Sequence, residues 1–440
     1  MNTAMNTDLS AFWMPFTPNR LFRTAPRLLA KAKGVYYESD DGRRILDGSA
    51  ALWCVNAGHG RTEIRDAVAQ QLETMDFAPT FQVGHPLPFE LARRLRAHAP
   101  PGLEQVFFSN SGSEAADSAI KIALAYHRRR GEPERNLLIG RQRSYHGVGF
   151  GGMSVGGIPK NREAWQGSLL PNVAHLRDTH DLERNAFSRG QPAQGVEFAD
   201  DLERLIREHG AKRIAAVMVE PIAGSTGVLV PPRGYLERLR EICTRHGLLL
   251  IFDEVITGFG RTGDWFASQQ FKVTPDLLTM AKGITNGAIP MGAVFVHRDI
   301  HAAFMTGPAA DIDIYHGYTY SGHPVACAAA LATLGIYERE GLPQRAAELA
   351  PYWEERAHAL RGLPGVIDIR NYGLIAAVEF AADPNRSPTR AYDVFCTCFA
   401  RGLLSRPTGN VLAFSPPLTI SRSEIDQLFA ILTEAIRATP

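Results

Sequence analysis

Two side chains in this sequence could do chemistry together. Lys282 lies in PDLLTMAKGITNGAIPMGAVFV, a mostly apolar stretch, in a chain with seven lysines and forty arginines. An amine set beside apolar strands loses hydration, which lowers its pKa and frees it as a nucleophile. Lysines so placed form Schiff bases with carbonyl compounds, pyridoxal phosphate (PLP) among them. Asp253 closes the run LLLIFD, in which Leu248 to Phe252 read as a parallel strand buried on both faces. Ligands of open α/β sheets bind outside the carboxyl ends of such strands. A carboxylate there needs a cationic partner. The ring nitrogen of PLP is such a partner, and an aspartate that keeps it protonated makes the ring a better electron sink. Each residue alone has an ordinary alternative: a lysine snorkelling from a strand end, or an aspartate capping a helix. The pairing is what points to PLP.

Other segments must position these two groups. QVFFSNSGSEAADSAIKIALAYHRRR reads as a strand at 105–108, a small polar turn, then an amphipathic helix from about Ser113. Ser109, Asn110, Ser111, Gly112 and Ser113 would offer hydroxyls and N–H groups at a helix N-terminus, an anion site, or simply a capped helix start. Glu114 and Asp117 fall in its first turn and complement the helix dipole. Tyr145 and His146, in RSYHGVGFGG, follow a short strand at Asn136–Gly140. Tyr145 among glycines suits a flat ring stacked on a cofactor, or a packed loop tyrosine. Glu220 ends the apolar run RIAAVMVEP at the same sheet edge, where it would bond the cofactor's ring hydroxyl or nearby loops.

The 440 residues predict two domains. Hydrophobic content of 45% with 21% charged residues is that of a soluble globular chain. Net charge of +1, with no basic stripe, argues against a nucleic-acid partner or a polybasic membrane surface. Five scattered cysteines predict no disulfide framework, and Cys396 with Cys398 are too few for a zinc site, so no metal is expected. With no signal-peptide pattern and no spanning segment, a cytoplasmic location is expected. A hairpin is expected at VYYESDDGRRILD, turning at Asp41-Gly42. From about 61 to 322, alternating strands and helices predict a mostly parallel sheet. Within it, the polar stretch 166–201 reads as a long surface excursion. The C-terminal part reads as α+β, with a helix at 343–361, strands near 366–380, a helix at 389–401, a strand near 411–414 and a helix from Ser423.

The motifs WMPFTPNRLF, GHGR, FQVGHP, FFSNSGSEAADSA, YHGV, VEPIAGSTGVLVPP, LLLIFDEVITGFGR, TPDLLTMAKGITNGAIPMGAV and HGYTYSGHPVACAA run from end to end. In them the chain resembles the class III (ω-) aminotransferases of PLP fold type I. WMPFTPNR and HGYTYSGHPVACAA are similar to the ω-amino acid (β-alanine)–pyruvate branch. The resemblance implies an α/β architecture: an N-terminal segment 1–60, a large PLP-binding domain 61–322 and a small α+β domain 323–440. It makes Lys282 the Schiff-base lysine and Asp253 the partner of the pyridine nitrogen. Ser111, Gly112 and Ser113 become a phosphate cup, with His146 and Glu220 also beside the cofactor. Tyr145 and Val255 would sandwich the ring. Thr319 would reach the phosphate of a neighbouring subunit, implying a homodimer, or a tetramer, with shared sites. Phe16, Trp53, Phe81, Tyr145 and Ala223 would line the substrate pocket, and Arg406 would receive a substrate carboxylate. Ornithine- and GABA-type relatives carry a glutamate where this chain has Ser225, which argues against 2-oxoglutarate and for pyruvate. The implied reaction moves an amino group from an ω-amino acid or amine to pyruvate. An arylalkyl-amine preference, or another fold-type-I activity (decarboxylase, racemase, aminomutase), are the alternatives.

Overall fold

In the computed structural model, which describes residues 8–439 apart from 384 and 386, the chain opens on three antiparallel strands: β1 (Leu29–Lys33), β2 (Tyr36–Ser39) and β3 (Arg44–Asp47). The β2–β3 turn falls at Asp41-Gly42, with Gly42 at φ 84°, the left-handed geometry that an Asp-Gly pair favours. β1 has no hydrophobic alternation to betray it, because all five of its residues are exposed.

Seven strands build the central sheet: β4 (Leu103–Ser109), β5 (Leu137–Arg141), β6 (Val173–Leu176), β7 (Ile214–Val219), β8 (Leu249–Asp253), β9 (Leu277–Met280) and β10 (Gly292–His297). Their spatial order is β4-β10-β9-β8-β7-β5-β6. The pairings from β9 through β8, β7 and β5 to β6 are parallel, and β10 alone runs the other way. β7, β8 and β9 are buried along their whole lengths. That is why they read as continuous apolar runs rather than alternating ones. The expected α/β class is what the chain adopts.

The stretch 166–201 corrects its expectation. It is not only a surface excursion, since it supplies the edge strand β6 and buries Leu176, Phe198 and Ala199. Leu176 is the one fully buried residue of β6, too little for a period to show.

The C-terminal part adds β11 (Val366–Tyr372), β12 (Ile375–Phe380), β13 (Leu403–Leu404), β14 (Arg406–Thr408) and β15 (Val411–Phe414). Four of these form an antiparallel sheet in the order β11-β12-β15-β14. β13 instead pairs with β3, so the N-terminal hairpin and the C-terminal part share a sheet. The helices Leu342–His358, Arg390–Ala400 and Arg422–Ala438 lie close to their expected bounds. Ile375, Ala377, Val411 and Ala413 on the C-terminal sheet share one apolar cluster with Ile222, Val228 and Ile256. That face therefore packs against the loops that leave β7 and β8, and it brings β14 to the edge of the central sheet. No described helix is long and apolar enough to cross a membrane.

Candidate active site

The carboxyl ends of β5, β7, β8 and β9 meet at one edge, and the turn after β4 joins them. Asp253 is the last residue of β8 and is 6% exposed. Its Oδ2 lies 2.8 Å from His146 Nδ1, while Oδ1 accepts from Val255 N and Thr279 Oγ1, each at 3.1 Å. Thr279 stands directly opposite Asp253 in the β8–β9 register. The carboxylate is thus fixed by three partners at the carboxyl edge of the sheet. Glu220, just past β7, accepts from Tyr145 N at 2.9 Å through Oε1 and from Gly224 N at 3.0 Å through Oε2. One side chain therefore ties the Tyr145 loop to the segment after β7.

Lys282 sits two residues beyond β9 with φ 49°, and Asn286 and Gly287 follow at φ 53° and 70°. A lysine in left-handed backbone is strained and needs surroundings that hold it there. Asn286 supplies part of that hold, accepting from Ala57 N at 2.8 Å and donating to Gly58 O at 2.9 Å. Tyr337, fully buried, donates to Gly283 O at 2.6 Å. Arg261, also fully buried, donates to Asn56 Oδ1 at 2.5 Å, and Asn56 donates to Phe259 O at 3.0 Å. None of these supports was read from the sequence. Only the Asn286-Gly287 pair carried a local signal, as a left-handed turn. Tyr337→Phe, which leaves Gly283 O without its donor, is expected to lower stability by about 1 kcal/mol, read as a shift of the urea midpoint at unchanged slope.

The electrostatics follow from burial. Desolvation pushes the Lys282 pKa down, with Arg406 adding to the effect, while Cys54, Asp253 and Glu220 pull it back. Burial, with the charge of Asp253, raises Glu220 to about 7 against the opposing influence of His146. Burial raises Tyr145 as well, and Arg406 moderates it. The same cause lowers Arg406, whose Nε is enclosed without a hydrogen-bond partner and which Tyr145 alone offsets. Lys282, Asp253, Glu220, Tyr145 and Arg406 thus share one electrostatic neighbourhood.

The helix Gly112–Arg129 begins at the same edge, with Ser111 as its cap accepting from Glu114 N. The N–H groups of Gly112 and Ser113 open that helix, where no intrahelical carbonyl can serve them. A Cβ on residue 112 would lie 3.0 and 3.1 Å from the Val255 methyls, so Val255 approaches the helix start as closely as only glycine comfortably allows. Ser113 Oγ accepts from Val148 N at 3.0 Å, which ties this turn to the Tyr145 loop. Unserved helix-opening N–H groups, a buried lysine amine and a fixed carboxylate are a donor set that fits PLP.

The remaining candidates divide. Ala223 is fully buried beside Glu220's loop, and Trp53, 2% exposed at φ 65°, packs in the cluster with Ile222 and Ile256. Thr319 is exposed, as are Phe16 at 76% and Phe81 at 59%. All three lie on the surface of the single chain.

The class III aminotransferase family profile matches residues 20–436. The chain belongs to the class III aminotransferases. This aminotransferase is 56% identical over 421 residues to an ω-aminotransferase of Caulobacter vibrioides, covering 96% of both chains. It is 48% identical to a β-alanine–pyruvate aminotransferase of Pseudomonas aeruginosa, over 98% of this chain and 96% of that one. Its fold matches an (S)-enantioselective ω-transaminase from Thermomicrobium roseum at TM-score 0.90 and 37% identity, covering 98% of this chain and 97% of the other. A PLP-bound amine transaminase from an uncultivated Pseudomonas species matches at 0.89 and 37% identity, covering 98% and 99%. The aminotransferase fold and activity class read from the motifs are therefore those of the protein.

Proposed function

We propose that this aminotransferase uses PLP to move the amino group of an ω-amino acid such as β-alanine to pyruvate, giving L-alanine and a semialdehyde. The observation that carries this reading is Arg406. Its half-buried guanidinium has an enclosed Nε without a partner among the described residues, and, as the resemblance implies, Ser225 stands where GABA-type relatives place a glutamate. A guanidinium so enclosed gains from an incoming carboxylate, which it can grip by two parallel hydrogen bonds. Pyruvate and β-alanine both bring one, and the names of relatives at 48 and 56% identity agree.

PLP, when bound, supplies the electron sink that makes the hydrogen on the donor's amine-bearing carbon acidic. Lys282 would hold the cofactor and, once freed, would take that proton at Nζ and pass it on to the cofactor's carbon rather than back to the donor, the reverse transfer placing a proton on pyruvate's carbonyl carbon. Its lowered pKa keeps a larger share of the amine neutral for both tasks. Asp253, held by His146 and Thr279, would pair with the ring nitrogen and keep it protonated. Ser111, Gly112 and Ser113 would hold the phosphate, and Tyr145 and Val255 would enclose the ring, with Glu220 bracing Tyr145. Residues 61–322 form the cofactor domain, and the smaller domain joins residues 1–60 to 323–440. Phe16, Trp53, Phe81 and Ala223 line the donor pocket. A second copy of the chain completes each site, with Thr319 reaching its partner's phosphate. The exposure of Phe16, Phe81, Tyr315 and Tyr320 supports such a contact. Five free thiols suit the reducing cytoplasm.

The test is alanine formed from pyruvate by the PLP-loaded protein with β-alanine, 4-aminobutyrate or 1-phenylethylamine. Strong β-alanine turnover supports the reading. Turnover confined to 1-phenylethylamine replaces it with an amine–pyruvate enzyme, and no alanine from any donor overturns it. Arg406→Ala is expected to raise the pyruvate KM on the order of 100-fold, as loss of a buried charge partner does, with far less effect on the 1-phenylethylamine half-reaction. Equal losses for both would remove Arg406 from the carboxylate site.

A further inference from the structure

His180, Asp368 and Glu379 are a group among the described residues whose donor atoms lie close enough to hold a metal ion. The cation found there is Arg370, 6% exposed, whose Nη1 lies 2.5 Å from both Asp368 Oδ2 and Glu379 Oε2. Asp368 and Glu379 face each other across the β11–β12 register. Two carboxylates directly opposite repel, and Arg370 turns that repulsion into a clamp. Burial acts to raise the Glu379 carboxyl, but His180, 3.4 Å away, and Arg370 outweigh it and hold it at about 2.

The clamp points at the loop after β7. Arg370 Nε donates to Gly227 O at 2.9 Å. Thr408 Oγ1 donates to Ser225 O at 3.0 Å, and Arg143 Nη2 reaches Thr226 O at 3.4 Å. Each carbonyl of Ser225, Thr226 and Gly227 is thus taken by a side chain, two of the three from the C-terminal sheet.

The register shows why those two act together. Asp368, Glu379, Val411 and Thr408 form one row across the four strands. Arg370, Ala377, Ala413 and Arg406 form the next row on the same face, two residues along each strand. Residues directly opposite, and residues two apart on one strand, share a face. Arg406 therefore stands on the same face as Arg370, two buried alanines away, and two residues from Thr408.

We propose that Arg370, braced by Asp368 and Glu379, and Thr408 are positioning residues that fix the segment Ser225–Gly227 against Arg406 and so shape its carboxylate subsite. This rests on the reading that Arg406 receives the substrate carboxylate. The segment is bonded to Thr408 and Arg370, which share a sheet face with Arg406. Locking its carbonyls to the strands that carry the arginine keeps segment and guanidinium in one rigid unit.

The test uses Arg370→Lys, which keeps the charge and loses the Nε donor, and Thr408→Val, which keeps the shape and loses the hydroxyl. In the PLP-loaded enzyme each is expected to raise the pyruvate KM about tenfold, with the 1-phenylethylamine half-reaction within about twofold of the parent. Thr408→Ser is expected to restore the pyruvate KM. Should Arg370→Lys fail to fold, Thr408→Val, which leaves no buried charge unpaired, carries the test. An unchanged pyruvate KM in folded Thr408→Val, or equal losses for pyruvate and 1-phenylethylamine, overturns the positioning role. Arg406→Ala is measured alongside. If it leaves the pyruvate KM unchanged, the carboxylate reading itself fails; if it raises that KM while the other variants do not, only the positioning role fails.

Discussion

Lys282→Ala is expected to cut turnover by more than about 10⁴-fold, the upper range for a general base, because the same change removes the amine that attaches the cofactor. The visible absorbance that attachment gives PLP should vanish with it. Lys282→Arg should not rescue, since a guanidinium keeps its proton and can neither attack a carbonyl nor act as base. The protein itself should fold. Desolvation disfavours the charged Lys282 amine, so its removal takes away a cost rather than a support. The turn that holds it depends on Asn286 and Tyr337, which remain. Normal transamination by a folded Lys282→Ala protein would refute the assignment of the site.

Asp253→Asn is expected to lower kcat on the order of 10²- to 10³-fold, the range for losing one preorganised electrostatic partner. The change is nearly isosteric, and an amide oxygen at Oδ1 can still accept from Val255 N and Thr279 Oγ1. What disappears is the negative charge beside His146 Nδ1, the charge proposed to support the ring nitrogen. The pyruvate KM should change far less, because Arg406 is untouched, and that split marks a role in the chemical step rather than in binding. PLP should remain attached to Lys282, visible in the spectrum. A kcat within a few-fold of the parent would show that the charge at position 253 does not support the reaction.

Much of the fold, and the sheet edge where the candidate residues gather, could be read before any coordinate. A strand buried on both faces must be apolar throughout, so LLLIF and AAVMV announced β8 and β7. The residue that ends such a run lies at the carboxyl edge, which located Asp253 and Glu220. Lys282 stood out as a lone amine in an apolar stretch, and the motifs joined these to Tyr145, Gly112 and Arg406. Those inferences use burial and period within a few residues.

What the tertiary structure decided concerns which distant loops meet. Nothing local predicts that Asn286 bonds the backbone at 57 and 58, or that Arg261 holds Asn56. β1 escaped because it is wholly exposed, and β6 because it is short and half-buried at an edge. By type alone, Arg406 is a loop arginine. Its place beside Tyr145 and Lys282 arises from the β14–β15 register and from the C-terminal sheet packing on the loops after β7 and β8. Backbone period and strand burial are written locally, since each residue's neighbours along the chain impose them. The company a side chain keeps is set by how whole sheet faces dock, and that is decided only when the entire chain has folded.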